Sequence, residues 1–110
     1  MNVYQSPAAP LSEEQVEILA QGESLRVERI VSTGQVSPPG FWYDQEEDEW
    51  LVLLKGEGRV AYPDGKEDRL LPGDTLFLPA HRKHRVSYTS VQPPAVWLCV
   101  FGRMKNKSGI

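Results

Sequence analysis

The sequence predicts an all-β domain, an antiparallel sandwich or barrel preceded by one short helix, and three observations carry that expectation. From Ser24 onward the apolar residues follow a period of two rather than a helical one. Seven to nine short apolar runs then succeed one another, each the length of a strand. Between them lie Ser37-Pro38-Pro39-Gly40, Pro63-Asp64-Gly65-Lys66 and Leu71-Pro72-Gly73-Asp74, which are turn sequences. The 110 residues leave room for one core.

Taken in order, residues 1–10 read as an irregular arm, because Pro7 and Pro10 deny both helix and ladder. Residues 11–22 predict the helix. Ser12 and Gln15 form a capping box, Leu11 and Val16 a hydrophobic staple, Val16, Leu19 and Ala20 a narrow stripe, and Gly22 a stop. Residues 24–102 then supply the barrel. Its expected strands are Leu25 to Val31, Phe41 to Gln45, Glu49 to Lys55, Gly58 to Tyr62, Arg69 to Leu71, Thr75 to Leu78, Arg85 to Thr89 and Ala95 to Phe101. Asp64-Gly65 marks a tight hairpin. Residues 103–110 read as a polar tail.

Charge and composition exclude several classes. Twelve basic against fifteen acidic residues give a net charge of −3 with no basic block, which argues against nucleic acid as a partner. No apolar run reaches membrane length and the first residues lack the pattern of a signal peptide, so a cytoplasmic protein without a membrane partner is expected. Cys99 is the sole cysteine and lies within Ala95 to Phe101, where a small buried hydrophobe is the simpler reading than a reactive thiol. No serine sits in a nucleophile elbow and no glycine-rich loop opens a helix.

The chemistry concentrates in two stretches, Tyr43 to Gly56 and Gly73 to Arg85. In the first, polar side chains run directly into a strand. If that strand is regular, Glu49 shares a face with Leu51 and Leu53 while Trp50, Val52 and Leu54 point the other way. With both faces apolar, the outer one should pack on another sheet or a second subunit, and a homodimer is expected. In the second, Gly73, Pro79 and His84 recur at fixed spacing.

These spacings resemble the two motifs of the cupin superfamily, over about Gly40 to Arg85. Glu49 and Gly56 match the end of the first motif, and Gly73, Pro79 and His84 match the second. Trp42-Tyr43-Asp44-Gln45 followed by Asp48-Glu49-Trp50 is similar to a subgroup of small bacterial cupins. The resemblance implies a jelly-roll barrel, a double-stranded β-helix, with a site at its mouth. The two histidine positions of the first motif fall here on Tyr43 and Gln45, and the asparagine position of the second on Tyr88.

Three functions follow as expectations. The first is binding of a small organic ligand in a polar, aromatic-lined pocket by Tyr43, Gln45, Glu49, His84, Tyr88 and Trp42. The second is a metal-dependent oxygenase or isomerase in which Gln45, Glu49, His84 and Tyr43 hold one Mn, Fe, Ni or Zn ion. The third is metal-free acid/base catalysis with Glu49 as base and His84 as acid or orienter. Asp44, Glu46, Glu47 and Asp48 read as a solvated acidic rim that Arg82, Lys83 and Arg85 can balance. His81, where the motif often has glycine, reads as an exposed loop residue.

Overall fold

A computed structural model describes residues 1–105, so the last five residues of the expected polar tail lie outside the described residues. Eight antiparallel strands form two sheets facing each other. They are β1 (Gln15–Gln21), β2 (Leu25–Ser32), β3 (Asp48–Lys55), β4 (Gly58–Ala61), β5 (Glu67–Leu70), β6 (Thr75–Leu78), β7 (Arg85–Thr89) and β8 (Ala95–Gly102). The larger sheet has the order β1-β2-β8-β3-β6 and the smaller β5-β4-β7. Leu51, Leu53, Val60, Tyr62, Leu70, Leu78, Trp97 and Phe101 fill the space between them. The chain is all-β, as expected.

The helix expected at residues 11–22 is absent, and its place is taken by β1 at the sheet edge. Val16 pairs with Ile30 and Glu17 with Arg29. Gln15 to Ile18 also alternates polar with apolar, which serves a strand as well as the capping box serves a helix. A helix this short is marginal alone. The edge of β2 offers a ladder instead, broken by one bulge between Ile18 and Ala20, and Gly22 N–H closes the hairpin on the Leu25 carbonyl at 2.7 Å. The strand expected at Phe41 to Gln45 contracts to one bridge between Tyr43 and His84.

Side-chain parity in β2 runs against the usual arrangement. Arg26, Glu28 and Ile30 turn toward the interior, so the charged face of an amphipathic strand looks inward at its first half. Val27 is left outside. With its cross-strand partners it builds an apolar row, Ala20, Val27, Val100, Trp50 and Phe77, across all five strands of the outer face. Further along, the N-terminal arm covers this face. Arg29 bonds the carbonyls of Asn2, Val3 and Gln5 and pairs with Glu17, Lys55 reaches Ser6 at 2.9 Å, and Val31 beneath is fully buried.

Two glycines fix how closely the chain can turn on itself. Gly56 has φ of 78°, and a β-carbon there would stand 2.3 Å from the Pro94 carbonyl oxygen. Gly58 opens β4 against the Trp97 ring, where a β-carbon would meet the ring at 2.3 Å. Trp97 is buried, so the added carbon forces the ring or the β4 backbone to shift. Gly58→Ala should therefore cost about 1–3 kcal/mol through overpacking. Gly22→Ala, with nothing within 4 Å of the added carbon, should stay within about 0.5 kcal/mol of the parent. Urea denaturation of both variants checks this, and equal losses would contradict the packing assigned to Trp97.

Candidate functional site

Between the sheets lies a cavity of about 260 Å³. Strand pairing determines what lines it. Glu49 of β3 stands opposite Phe101 of β8 on one side and Leu78 of β6 on the other. Cys99 pairs with Leu51 and with Glu28. The larger sheet therefore projects Arg26, Glu28, Glu49, Cys99 and Phe101 from three adjacent strands into one space. The smaller sheet closes it with Val60 and Val86.

The loop before β3 and the loop before β7 complete the wall. Backbone bonds from Tyr43 N–H to the His84 carbonyl (2.7 Å) and from His84 N–H to the Tyr43 carbonyl (3.2 Å) hold the two loops together. Tyr43 then stacks on the His84 ring with 5.2 Å between centroids. The His81 N–H bonds the Gln45 carbonyl at 2.7 Å, and His81 itself adopts φ of 64°, the left-handed conformation that glycine favours at that motif position. Its ring lies exposed, 2.7 Å from Asp44.

Glu49 and His84 are both buried, and His84 Nε2 lies 3.8 Å from Glu49 Oε1. On the other side of the ring, Nδ1 is 2.8 Å from the Arg82 carbonyl. A carbonyl can only accept, so Nδ1 carries the hydrogen and Nε2 presents a lone pair to the cavity. Burial holds the imidazole below its ordinary pKa, which favours this neutral form. Burial also raises the Glu49 carboxyl to about 7, against the opposing hydrogen bonds of Cys99 and Gln45. The Gln45 amide nitrogen is 3.5 Å from Glu49 Oε1, a long contact. One ligand atom about 2.8 Å from both Oε1 and Nε2 would bridge the pair.

Of the six residues expected to bind ligand, Tyr43, Gln45, Glu49 and His84 line the cavity, whereas Trp42 and Tyr88 are not part of its lining. Tyr88 is turned away by a bulge. Arg59 pairs with Tyr88 and Val60 with Val86, which leaves Ser87 as the extra residue and reverses the parity beyond it. Its ring instead lies under the Arg59 guanidinium, 4.9 Å away. Trp42 sits half-buried in the loop.

Sequence reasoning missed Glu14, Arg26 and Glu28, which also line the cavity. The signal was the alternation of β2, whose charged residues were free to face either way. The acidic run is also more than a solvated rim. Asp48 accepts from Ala80 N–H at 2.7 Å and Met104 N–H at 3.0 Å, which holds its carboxyl below the ordinary value. Glu47 pairs with Arg26 rather than with the basic loop.

The donor set does not fit a tightly held transition metal. Glu49 and His84 are its only strong ligands, since burial keeps the Tyr43 phenol protonated beyond its ordinary range, and no group of three His, Cys, Asp or Glu converges among the described residues. Gln45 turns its amide nitrogen, a donor, toward Glu49.

Comparison with known proteins agrees with this architecture. The family model described as "Cupin domain" matches residues 29–101. A candidate mannose-6-phosphate isomerase from Ralstonia eutropha JMP134 is 36% identical, covers 94% of this chain and 97% of its own, and superposes with a TM-score of 0.88. A cupin superfamily protein from Desulfitobacterium hafniense DCB-2 is 19% identical over 89% of this chain and 84% of its own, with a TM-score of 0.73. An RmlC-like cupin from Desulfovibrio desulfuricans is 17% identical over 93% of each chain, at the same TM-score of 0.73. No curated protein matches the chain.

The raised Glu49 carboxyl makes stability depend on pH. The folded state keeps a proton that the unfolded chain releases at its ordinary 4.5, so the contribution is full below pH 4.5 and is lost as pH rises through about 7. That difference is worth about 3 kcal/mol. His84, with its pKa lowered, acts in the opposite sense below its ordinary 6.5. Glu49→Gln removes the first effect and keeps the second, so its stability relative to the parent should rise by about 3 kcal/mol between pH 4.5 and 8. Urea midpoints across that range test it, and a constant difference would refute the buried, protonated carboxyl.

Proposed function

The chain belongs to the cupin family, and from that premise we propose that it binds a small organic molecule in the cavity between its sheets. The observation that carries the reading is the pair of buried groups, Glu49 and His84, which face one space 3.8 Å apart. Burying both without a direct bond between them is costly, and a ligand hydroxyl or amine spanning them offsets that cost. Leu51, Val86 and Trp97 supply the apolar surface that such a molecule needs. Trp42-Tyr43-Asp44-Gln45 and Asp48-Glu49-Trp50 support placement in the small bacterial subgroup.

A fragment screen read by NMR shifts should place hits at the Gln45 side-chain amide, His84 and the Trp97 indole. Glu49→Gln and His84→Gln should each weaken those hits by about tenfold, as expected for loss of a hydrogen bond involving a charged or polarised group. Hits confined to the outer surface would sink this reading. Elemental analysis of protein purified without added metal separates the metal-dependent alternative. A stoichiometric transition metal, lost in Glu49→Gln and His84→Ala, would put that alternative in its place.

One observation favours a second reading, acid/base catalysis without metal. A carboxyl that titrates near pH 7 beside an imidazole with a fixed tautomer can take and return a proton close to neutrality. The isomerase named for the Ralstonia relative is a reaction class that such a pair could serve.

We further propose that two copies associate through the outer face of the larger sheet. The apolar row from Ala20 to Phe77 crosses all five strands, and its Trp50 remains 37% exposed. Light scattering should give the mass of a dimer for the parent and of a monomer for Trp50→Glu. A monomeric parent at micromolar concentration would remove this surface from consideration.

A further inference from the structure

We infer that the cavity selects a small protonated amine with an apolar body and rejects phosphate and carboxylate ligands, a deepening that rests on the cavity being the binding site. The basis is the sign of the charge that lines it. Three carboxyl groups, those of Glu14, Glu28 and Glu49, border the space, and the one guanidinium that does so is Arg26.

Arg26 is already engaged. Its Nε bonds Glu28 at 2.5 Å, and its two terminal nitrogens bond Glu47 at 3.3 and 3.1 Å. Its plane also lies over the Phe101 ring at 4.4 Å. An anion entering the cavity would have to take this guanidinium from the Glu28 and Glu47 carboxylates while approaching that of Glu14. In a space of low dielectric, that is a strongly unfavourable exchange.

A cation meets the reverse situation. Glu14 shares one oxygen with the Ser32 hydroxyl at 2.7 Å and bears no guanidinium partner. Glu49 is 6% exposed, and its own partners are weak ones, the Cys99 thiol and the Gln45 amide at 3.5 Å, while the His84 Nε2 lone pair beside it has no donor within bonding distance. An ammonium group has three donors and no acceptor, which matches the Glu49 carboxyl, the His84 Nε2 lone pair and the Glu14 carboxylate, all of which line the cavity. The apolar body would lie on Val16, Ile30 and Trp97, the first of which is 54% exposed at the open side.

Three probes of one shape test this: cyclohexylamine, cyclohexanol and cyclohexanecarboxylate, titrated at neutral pH against isotope-labelled full-length protein. The expected result is shifts at the Gln45 amide and the Trp97 indole, with the amine binding at least about tenfold more tightly than the carboxylate. Glu14→Gln and Glu28→Gln should each narrow that ratio, the second by also releasing Arg26 toward anions. Equal binding of all three probes, or a preference for cyclohexanol or the carboxylate, would overturn the amine selectivity and leave the cavity as a binding site. If none of them shifts a cavity resonance, both readings fall together.

Discussion

A carboxyl group enclosed at the junction of β3 with the Tyr43–Glu47 loop constrains the geometry around it, because a buried charge is tolerated only where neighbours answer it. Glu49 has little by way of answer: a thiol, a long amide contact and an imidazole just beyond bonding distance. Its proton is the consequence. The carboxyl stays neutral up to about pH 7, and the surrounding strands can then pack apolar residues such as Leu51 and Leu78 directly beside it. The site and the core are therefore one body, and a change in the charge of Glu49 is felt in the stability of the whole barrel.

Much of the barrel was legible because local signals and tertiary demands agreed. β3, β6, β7 and β8 begin and end within a residue or two of where alternation and turn residues place them. Gly65 sits in the β4–β5 hairpin with φ of 89°, as Asp64-Gly65 requires. The first element failed for a physical reason. A capping box is a local signal worth about 1 kcal/mol. An open strand edge is a long-range one, and six paired residues of ladder outweigh the cap.

The site was half legible for a related reason. Glu49 and His84 occupy positions fixed by spacing to glycines that turn the chain, so their arrival in one cavity could be anticipated. Arg26 and Glu28 could not be placed, since an alternating strand does not declare which face is interior. The assumption that charge faces solvent fails where the interior is a cavity with polar groups of its own. Tyr88 shows the opposite failure. A single extra residue at Ser87 reverses every side chain after it, and nothing in Arg85-Val86-Ser87-Tyr88-Thr89 announces the bulge.

The exchange of two imidazole positions for Tyr43 and Gln45 alters what this cavity can hold. Two histidines beside Glu49 would bring a cluster of strong donors, and an ion among them would keep the carboxylate charged. A phenol and an amide are neutral and weaker ligands, and burial favours the protonated form of the Glu49 carboxyl beside them. Tyr43 uses its ring face against His84, which fixes the imidazole by stacking, while the Arg82 carbonyl fixes its tautomer. What remains is a neutral acid and a neutral base oriented toward the same empty volume, with further carboxylates near the opening. The amine inferred above would meet the Glu14 and Glu28 carboxylates and the His84 lone pair along that lining, and its approach would favour release of the Glu49 proton.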